Sequence, residues 1–185
     1  MNKKYKNQKG FTLVETLVAI SVLSISILGT FTAVQSGLQK SSYAKDQVTA
    51  FYLVQEAMEY VRNVRDTNAL ASINSTSSGG AEVNWLHNLS EIPGDPCYFG
   101  NVCKIDSPAN TATYCGISSG SCPVLNQDSA TSLYGYTTGS GWSATRFKRE
   151  VQFQNITSGK EIIVTVTISW GSKTIQVKQS FFNNR

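Results

Sequence analysis

Histidine occurs once, at His87; no proline precedes Pro93, and no cysteine precedes Cys97. The scarcity of histidine removes the commonest general base and the commonest imidazole ligand. No nucleophile motif and no phosphate-cradling glycine loop compensates for it, so neither catalysis, nor a cofactor, nor a metal is expected. The missing prolines leave the first ninety-two residues without the strongest helix breaker. Acids are missing too from the first fourteen residues, where Lys3, Lys4, Lys6 and Lys9 stand alone.

Beyond those lysines the chain turns apolar. From Phe11 to about Val34 it carries small hydroxyl residues and one charge, Glu15. A run of about 24 residues spans about 36 Å as a helix, enough to cross a bilayer core of about 30 Å. Gly29 and Gly37 are its weak points, since glycine costs about 1 kcal/mol relative to alanine. A carboxylate inside such a span costs roughly 2.5–3.5 kcal/mol on insertion scales and marks function.

The segment Lys9-Gly10-Phe11-Thr12-Leu13-Val14-Glu15 resembles the class III signal of type IV pilins and type II secretion pseudopilins. The resemblance implies a basic leader at residues 1–10, cut by prepilin peptidase between Gly10 and Phe11, with N-methylation of Phe11. It also implies an assembly role for Glu15, whose carboxylate pairs with the cationic amine of a neighbouring subunit in an apolar filament core. Many major pilins have a proline about twenty residues into the mature chain; this sequence has none there. A secretory signal peptide would have a 7–15-residue apolar core with its cleavage site behind it, whereas here the junction lies in front. A plain signal anchor explains the lysines and the span, but neither Glu15 nor the Gly-Phe junction.

The formal charge of +4 belongs to the leader: without residues 1–10 the chain has 12 basic and 12 acidic residues. Those lysines act as a topology signal that keeps the leader in the cytoplasm and puts the rest outside. The remaining charge is uneven. Asp66, Glu82, Glu91, Asp95, Asp106 and Asp128 face only Lys104 in the middle. Arg146, Lys148, Arg149, Lys160, Lys173, Lys178 and Arg185 outnumber Glu150 and Glu161 at the end. Such a basic face could attract nucleic acid or anionic glycans; the preferred reading is that these are solvated outer positions of strands.

Helical periodicity continues past the span. Phe51, Val54, Met58 and Val61, widened by Ala50, Ala57 and Val64, form a stripe for packing on a sheet. Residues 35–66 are assigned to this amphipathic half, and the stretch Ala50 to Asp66 also looks like the helix-ending segment of bacterial minor-pilin-like proteins. Residues 71–81 read as a loop by composition. Trp85, Leu86 and Leu89 suggest a short helix or turn folded back onto the head, with His87 in a structural role.

The variable region, 67–145, holds Cys97, Cys103, Cys115 and Cys122. In an exported chain these read as two disulfides. Of three connectivities, Cys97–Cys103 with Cys115–Cys122 closes the shortest loops at the least entropic cost; a nested Cys97–Cys122 with Cys103–Cys115 is the alternative. Residues 146–185 show period-two alternation: Phe147, Val151 and Phe153; then Ile162, Val164, Val166, Ile168 and Trp170; then Ile175, Val177 and Phe181. Turns near Ser158-Gly159 and at Gly171-Ser172 make this a three-strand antiparallel meander.

The expected fold is therefore α+β: a long N-terminal helix packed on a C-terminal antiparallel sheet of at least three strands, as the resemblance to pilins implies. The expected function is a structural subunit, with a minor type IV pilin preferred. A secretion pseudopilin, an adhesive or DNA-uptake pilin and an anchored enzyme or sensor are the alternatives. Implied partners are prepilin peptidase, other pilin subunits, the assembly platform and the inner membrane; nucleic acid is the weakest of these. The implied location is the inner membrane, with the head outside the cytoplasm, and then a surface or periplasmic filament.

Overall fold

The structure, a computed structural model, describes residues 10–78, 80 and 83–183. The basic leader with Lys3, Lys4, Lys6 and Lys9, and the charges of Glu82 and Arg185, lie outside the described residues. The chain divides after Asp46 into two compact units, and helix α1 (Leu13–Ser77) contributes to both.

In the first unit α1 is exposed along its whole apolar length, Leu17, Ile20, Leu23, Ile27, Phe31 and Val34 included. Its hydroxyl groups bond within the helix. Ser21 donates to the Val18 carbonyl, Ser24 to Ile20 and Ser26 to Val22, each at 2.8 Å. Thr30 and Thr32 do the same at 2.9 Å. Such a helix can enter hydrocarbon because these hydroxyls bring their own acceptors.

In the second unit α1 packs on a seven-stranded sheet. The strands are β1 (Val102–Asp106), β2 (Thr111–Gly116), β3 (Val124–Asp128), β4 (Tyr134–Gly135), β5 (Trp142–Thr157), β6 (Glu161–Trp170) and β7 (Lys173–Phe182). The pattern is α+β and pilin-like. The meander β5-β6-β7 is present, its second turn closed by Gly171 at a φ of 55° between Trp170 and Lys173. A positive φ at the first turn position matches the right-handed twist of a two-residue hairpin, and glycine supplies it without a Cβ clash. Four further strands, in the region expected to consist of loops, extend the sheet. They gather on the other edge of β5: β3 pairs with Trp142 to Lys148, and β1 with Val151 and Gln152.

The helix face that meets the sheet is Ala50, Leu53, Val54, Ala57, Met58 and Val61, all under 5% exposed. Phe51, assigned to that stripe by sequence, is 46% exposed, and Leu53 holds the buried place instead. The helix also runs beyond the expected boundary: residues 71–77 are helical, not a loop. The packed stripe continues there in small or polar residues, with Ser72 buried and Asn68 donating to the carbonyls of Trp85 (3.3 Å) and His87 (3.1 Å). Ser75, Thr76 and Ser77 each return a hydroxyl to the carbonyl four residues back at 2.8 Å. An apolar count could not follow a stripe made of such residues.

One side chain overturns the charge reading. Arg149, expected on a solvated strand face, is 0% exposed. It shares the β5 alternation with Phe147, Val151 and Phe153, and so points at the helix. Its Nη1 donates to the Leu53 carbonyl (3.1 Å) and lies 3.3 Å from Glu56 Oε2, while Nη2 donates to the Ile105 carbonyl. Helix, β1 and β5 are thus joined by one guanidinium. Beside it, Tyr136 Oη donates to the Arg149 carbonyl at 3.3 Å, and Asp106 Oδ2 accepts the Tyr136 amide at 3.1 Å. Burial pushes the Tyr136 phenol up to about 12, against the opposing pull of the Arg149 charge.

Arg149→Met should cost about 3 kcal/mol, because it leaves Glu56 and two carbonyls without their donor. Denaturant unfolding of the full chain in detergent measures this, and an unchanged midpoint would refute the clasp. Tyr136 supplies a pH signature. The folded state keeps its phenolic proton up to about 12, whereas the unfolded phenol loses it near pH 10. Its contribution is complete below pH 10 and should decline by about 3 kcal/mol as pH rises through that interval. Tyr136→Phe should show a smaller decline, read from unfolding midpoints at stepped pH.

Candidate functional site

At the start of α1 the geometry is local. Thr12 caps the helix: the Glu15 amide donates to Thr12 Oγ1 at 3.2 Å, and the Thr16 amide to the Thr12 carbonyl at 3.2 Å. Thr12-Leu13-Val14-Glu15 therefore has the T-x-x-E spacing of a capping box, a sequence signal that the apolar pattern alone does not bring out. A carboxylate in the first turn also complements the positive end of the helix dipole. The Glu15 carboxylate itself has no hydrogen bond or ion pair among the described residues. Phe11 is 81% exposed.

Gly10 is exposed, and a Cβ built on it would meet nothing within 4 Å. Nothing among the described residues requires glycine there.

In the head, the disulfides join Cys97 to Cys103 and Cys115 to Cys122, local pairs rather than nested ones, with Cα separations of 5.2 and 5.0 Å. The first is fully buried: Cys97 and Cys103 are both 0% exposed, and Cys103 lies in β1 opposite Val151. The second pins an exposed loop whose Ile117 is 75% exposed.

That loop is held from below by Glu150, another residue assigned by sequence to the solvated outer face. Its carboxylate accepts from Ser119 Oγ (2.9 Å), the Gly120 amide (2.7 Å) and the Cys122 amide (3.3 Å). Lys148 Nζ donates to the Gly120 carbonyl at 2.9 Å. Outward alternation on β5 was legible; that a loop would fold over those positions was not. Elsewhere Asp128, partly exposed, is held below the usual carboxylate range, first by the Thr131 hydroxyl at 2.6 Å. Burial raises the Tyr60 phenol.

Against this geometry, similarity to known proteins is narrow. The model of the prokaryotic N-terminal methylation motif matches residues 5–31. No curated protein and no solved structure matches the chain. The matched segment contains Gly10, Phe11 and Glu15, and it supports a type IV pilin-like protein with a class III signal. α1 is, by length and composition, able to cross a membrane, which fits a membrane-anchored prepilin.

Proposed function

We propose that the chain is a prepilin of a type IV pilus or related filament, cut after Gly10 by prepilin peptidase, N-methylated on Phe11 and incorporated as a minor subunit. The observation that carries this reading is the methylation motif over residues 5–31. Two physical features support it. The apolar half of α1 is exposed throughout and needs hydrocarbon or other helices around it. Glu15 is the one charge in that half, and it has no counterion among the described residues.

Once Phe11 is the terminus, its amine is a cation in the same apolar layer. A carboxylate from an adjacent copy neutralises it, and an ion pair satisfied only between subunits makes assembly and charge neutralisation one event. The head is read as structural and non-catalytic, with its disulfide loops as the subunit-specific surface. The pseudopilin reading shares every feature up to filament length and remains the alternative. A nucleic-acid role has lost support. Arg149 is buried and Lys148 is engaged within the head, which depletes the basic face counted from sequence.

Gly10→Val should leave the fold unchanged, since its Cβ meets nothing, yet leave the leader attached. Intact-mass and N-terminal peptide analysis after co-expression with a prepilin peptidase reads this, and unchanged processing would refute the cleavage assignment. Glu15→Ala should be cut and methylated normally but enter sheared filaments at a small fraction of the wild-type level. Normal incorporation would remove the charge-pairing role.

A further inference from the structure

The sheet ends on β7, and that edge is uncovered. Among the described residues β7 pairs with β6 alone, in an unbroken register from Trp170↔Lys173 to Glu161↔Phe182. The other strands bordered on one side only are shorter: β2 has six residues and β4 has two. β7 has ten, without proline, glycine or bulge. Of the devices that blunt a strand edge, it carries only lysine, at Lys173 and Lys178.

The backbone of this edge is defined by the hairpin. Trp170 and Lys173 flank the two-residue turn, and such a pair exchanges both of its backbone bonds. Alternation from there gives the amides and carbonyls of Ile175, Val177, Gln179 and Phe181 to β6. Those of Thr174, Gln176, Lys178 and Ser180 point outward, and none has a backbone partner there among the described residues. Donors and acceptors in a row at strand spacing are matched by one chemistry, an extended polypeptide.

The side chains on either side of that row define which polypeptide fits. On the helix-facing side, Val177 and Gln179 line a groove of about 550 Å³ together with Tyr52, Val54, Met58 and Arg62 of α1. Tyr52 is 67% exposed and Val177 is half-buried, so the groove is open beside the edge. The carboxylates of the groove, Glu56 and Glu59, are already paired with Arg149 (3.3 Å) and Arg62 (3.0 Å). On the outer side Lys178 is exposed between the neutral Gln176 and Ser180, and β7 has no acid. In a strand laid on β7, the residue opposite Val177 faces the groove and the residue opposite Lys178 faces outward. An apolar residue followed by an acidic one suits both positions. A second copy presenting the same edge would instead bring the two Lys178 ammonium groups together, which is unfavourable.

We propose that β7 is a docking edge for an extended acidic segment of another protein, which adds antiparallel to the sheet with apolar residues in the α1–β7 groove and acidic residues against Lys178. The surface belongs to the head alone and does not depend on how the N-terminal segment is processed.

The test is fluorescence anisotropy of a short, capped, dye-labelled peptide alternating valine and glutamate, titrated with the full chain in a zwitterionic detergent. It should bind with a Kd on the order of 100 μM, and the valine–lysine counterpart should bind about tenfold more weakly. Lys178→Glu should reverse that order; the side chain is exposed, so the variant keeps the fold. Antiparallel pairing turns the glutamate amides toward β7 and the valine amides away from it. N-methylation of the glutamates should therefore abolish binding, while N-methylation of the valines should leave it intact. No binding, equal binding of the two peptides, an order unchanged by Lys178→Glu, or any other methylation pattern would overturn the proposal. So would hydrogen exchange at Thr174, Gln176, Lys178 and Ser180 that slows as the protein alone is concentrated, since that assigns the edge to a second copy.

Discussion

A guanidinium with no access to solvent dictates the arrangement of the head. Burying a charge costs several kcal/mol unless partners surround it, and Arg149, on β5, finds them on two other elements: the Leu53 carbonyl and Glu56 on α1, and the Ile105 carbonyl on β1. Apolar contacts alone would tolerate sliding of α1 along the sheet, because hydrophobic burial is nearly non-directional. The guanidinium is directional and fixes one register. Its place on β5 sharpens the point. Between the stretch paired to β3 and the stretch paired to β1, no strand borders Arg149 and Glu150 on that edge among the described residues. Tyr136 serves the Arg149 backbone there, and Glu150 gathers the amides of the outer loop.

The two units treat charge in opposite ways. In the head three buried charged groups find partners within the chain: Arg149 through its two terminal nitrogens on α1 and β1, Asp106 by the amides of Ala109 and Tyr136, Glu150 by the Cys115–Cys122 loop. In the N-terminal unit the hydroxyls are answered within α1, but the Glu15 carboxylate is not. The Glu15 carboxylate, with no partner among the described residues, lies inside the segment matched by the methylation motif. That contrast gives the pilin-like reading a physical basis beyond motif similarity.

Much of this was legible in the sequence because it rested on periodicity. The long helix, the β5-β6-β7 meander and the Gly171-Ser172 turn follow from periods of 3.6 and 2 and from turn chemistry. What escaped was of two kinds. Strands β1 to β4 are short and their alternation is diluted by Lys, Asp, Asn, Gln and Thr, so they form through pairing with β5 and with one another rather than through their own pattern. Arg149 and Glu150 escaped because arginine and glutamate are seldom buried; position in the alternation, not residue type, was the better guide. Phe51 was misassigned in the mirror-image way, a large apolar residue on the outward side of a helix whose seam runs through Leu53.

The two disulfides span sequence separations of only 6 and 7. At about 3.3–3.6 Å per extended residue, each withholds only about 20–25 Å of contour length. The roughly 105 residues between Ser77 and Phe182 could otherwise extend to about 350 Å. Covalent bonds therefore preserve the shape of two loops and set almost no limit on how far the head would lengthen if its ends were pulled. Resistance to tension falls to strand pairing about β5 and to the guanidinium that pins it to α1, so the mechanical yield point of the head is set by non-covalent bonds that can re-form once the load is released.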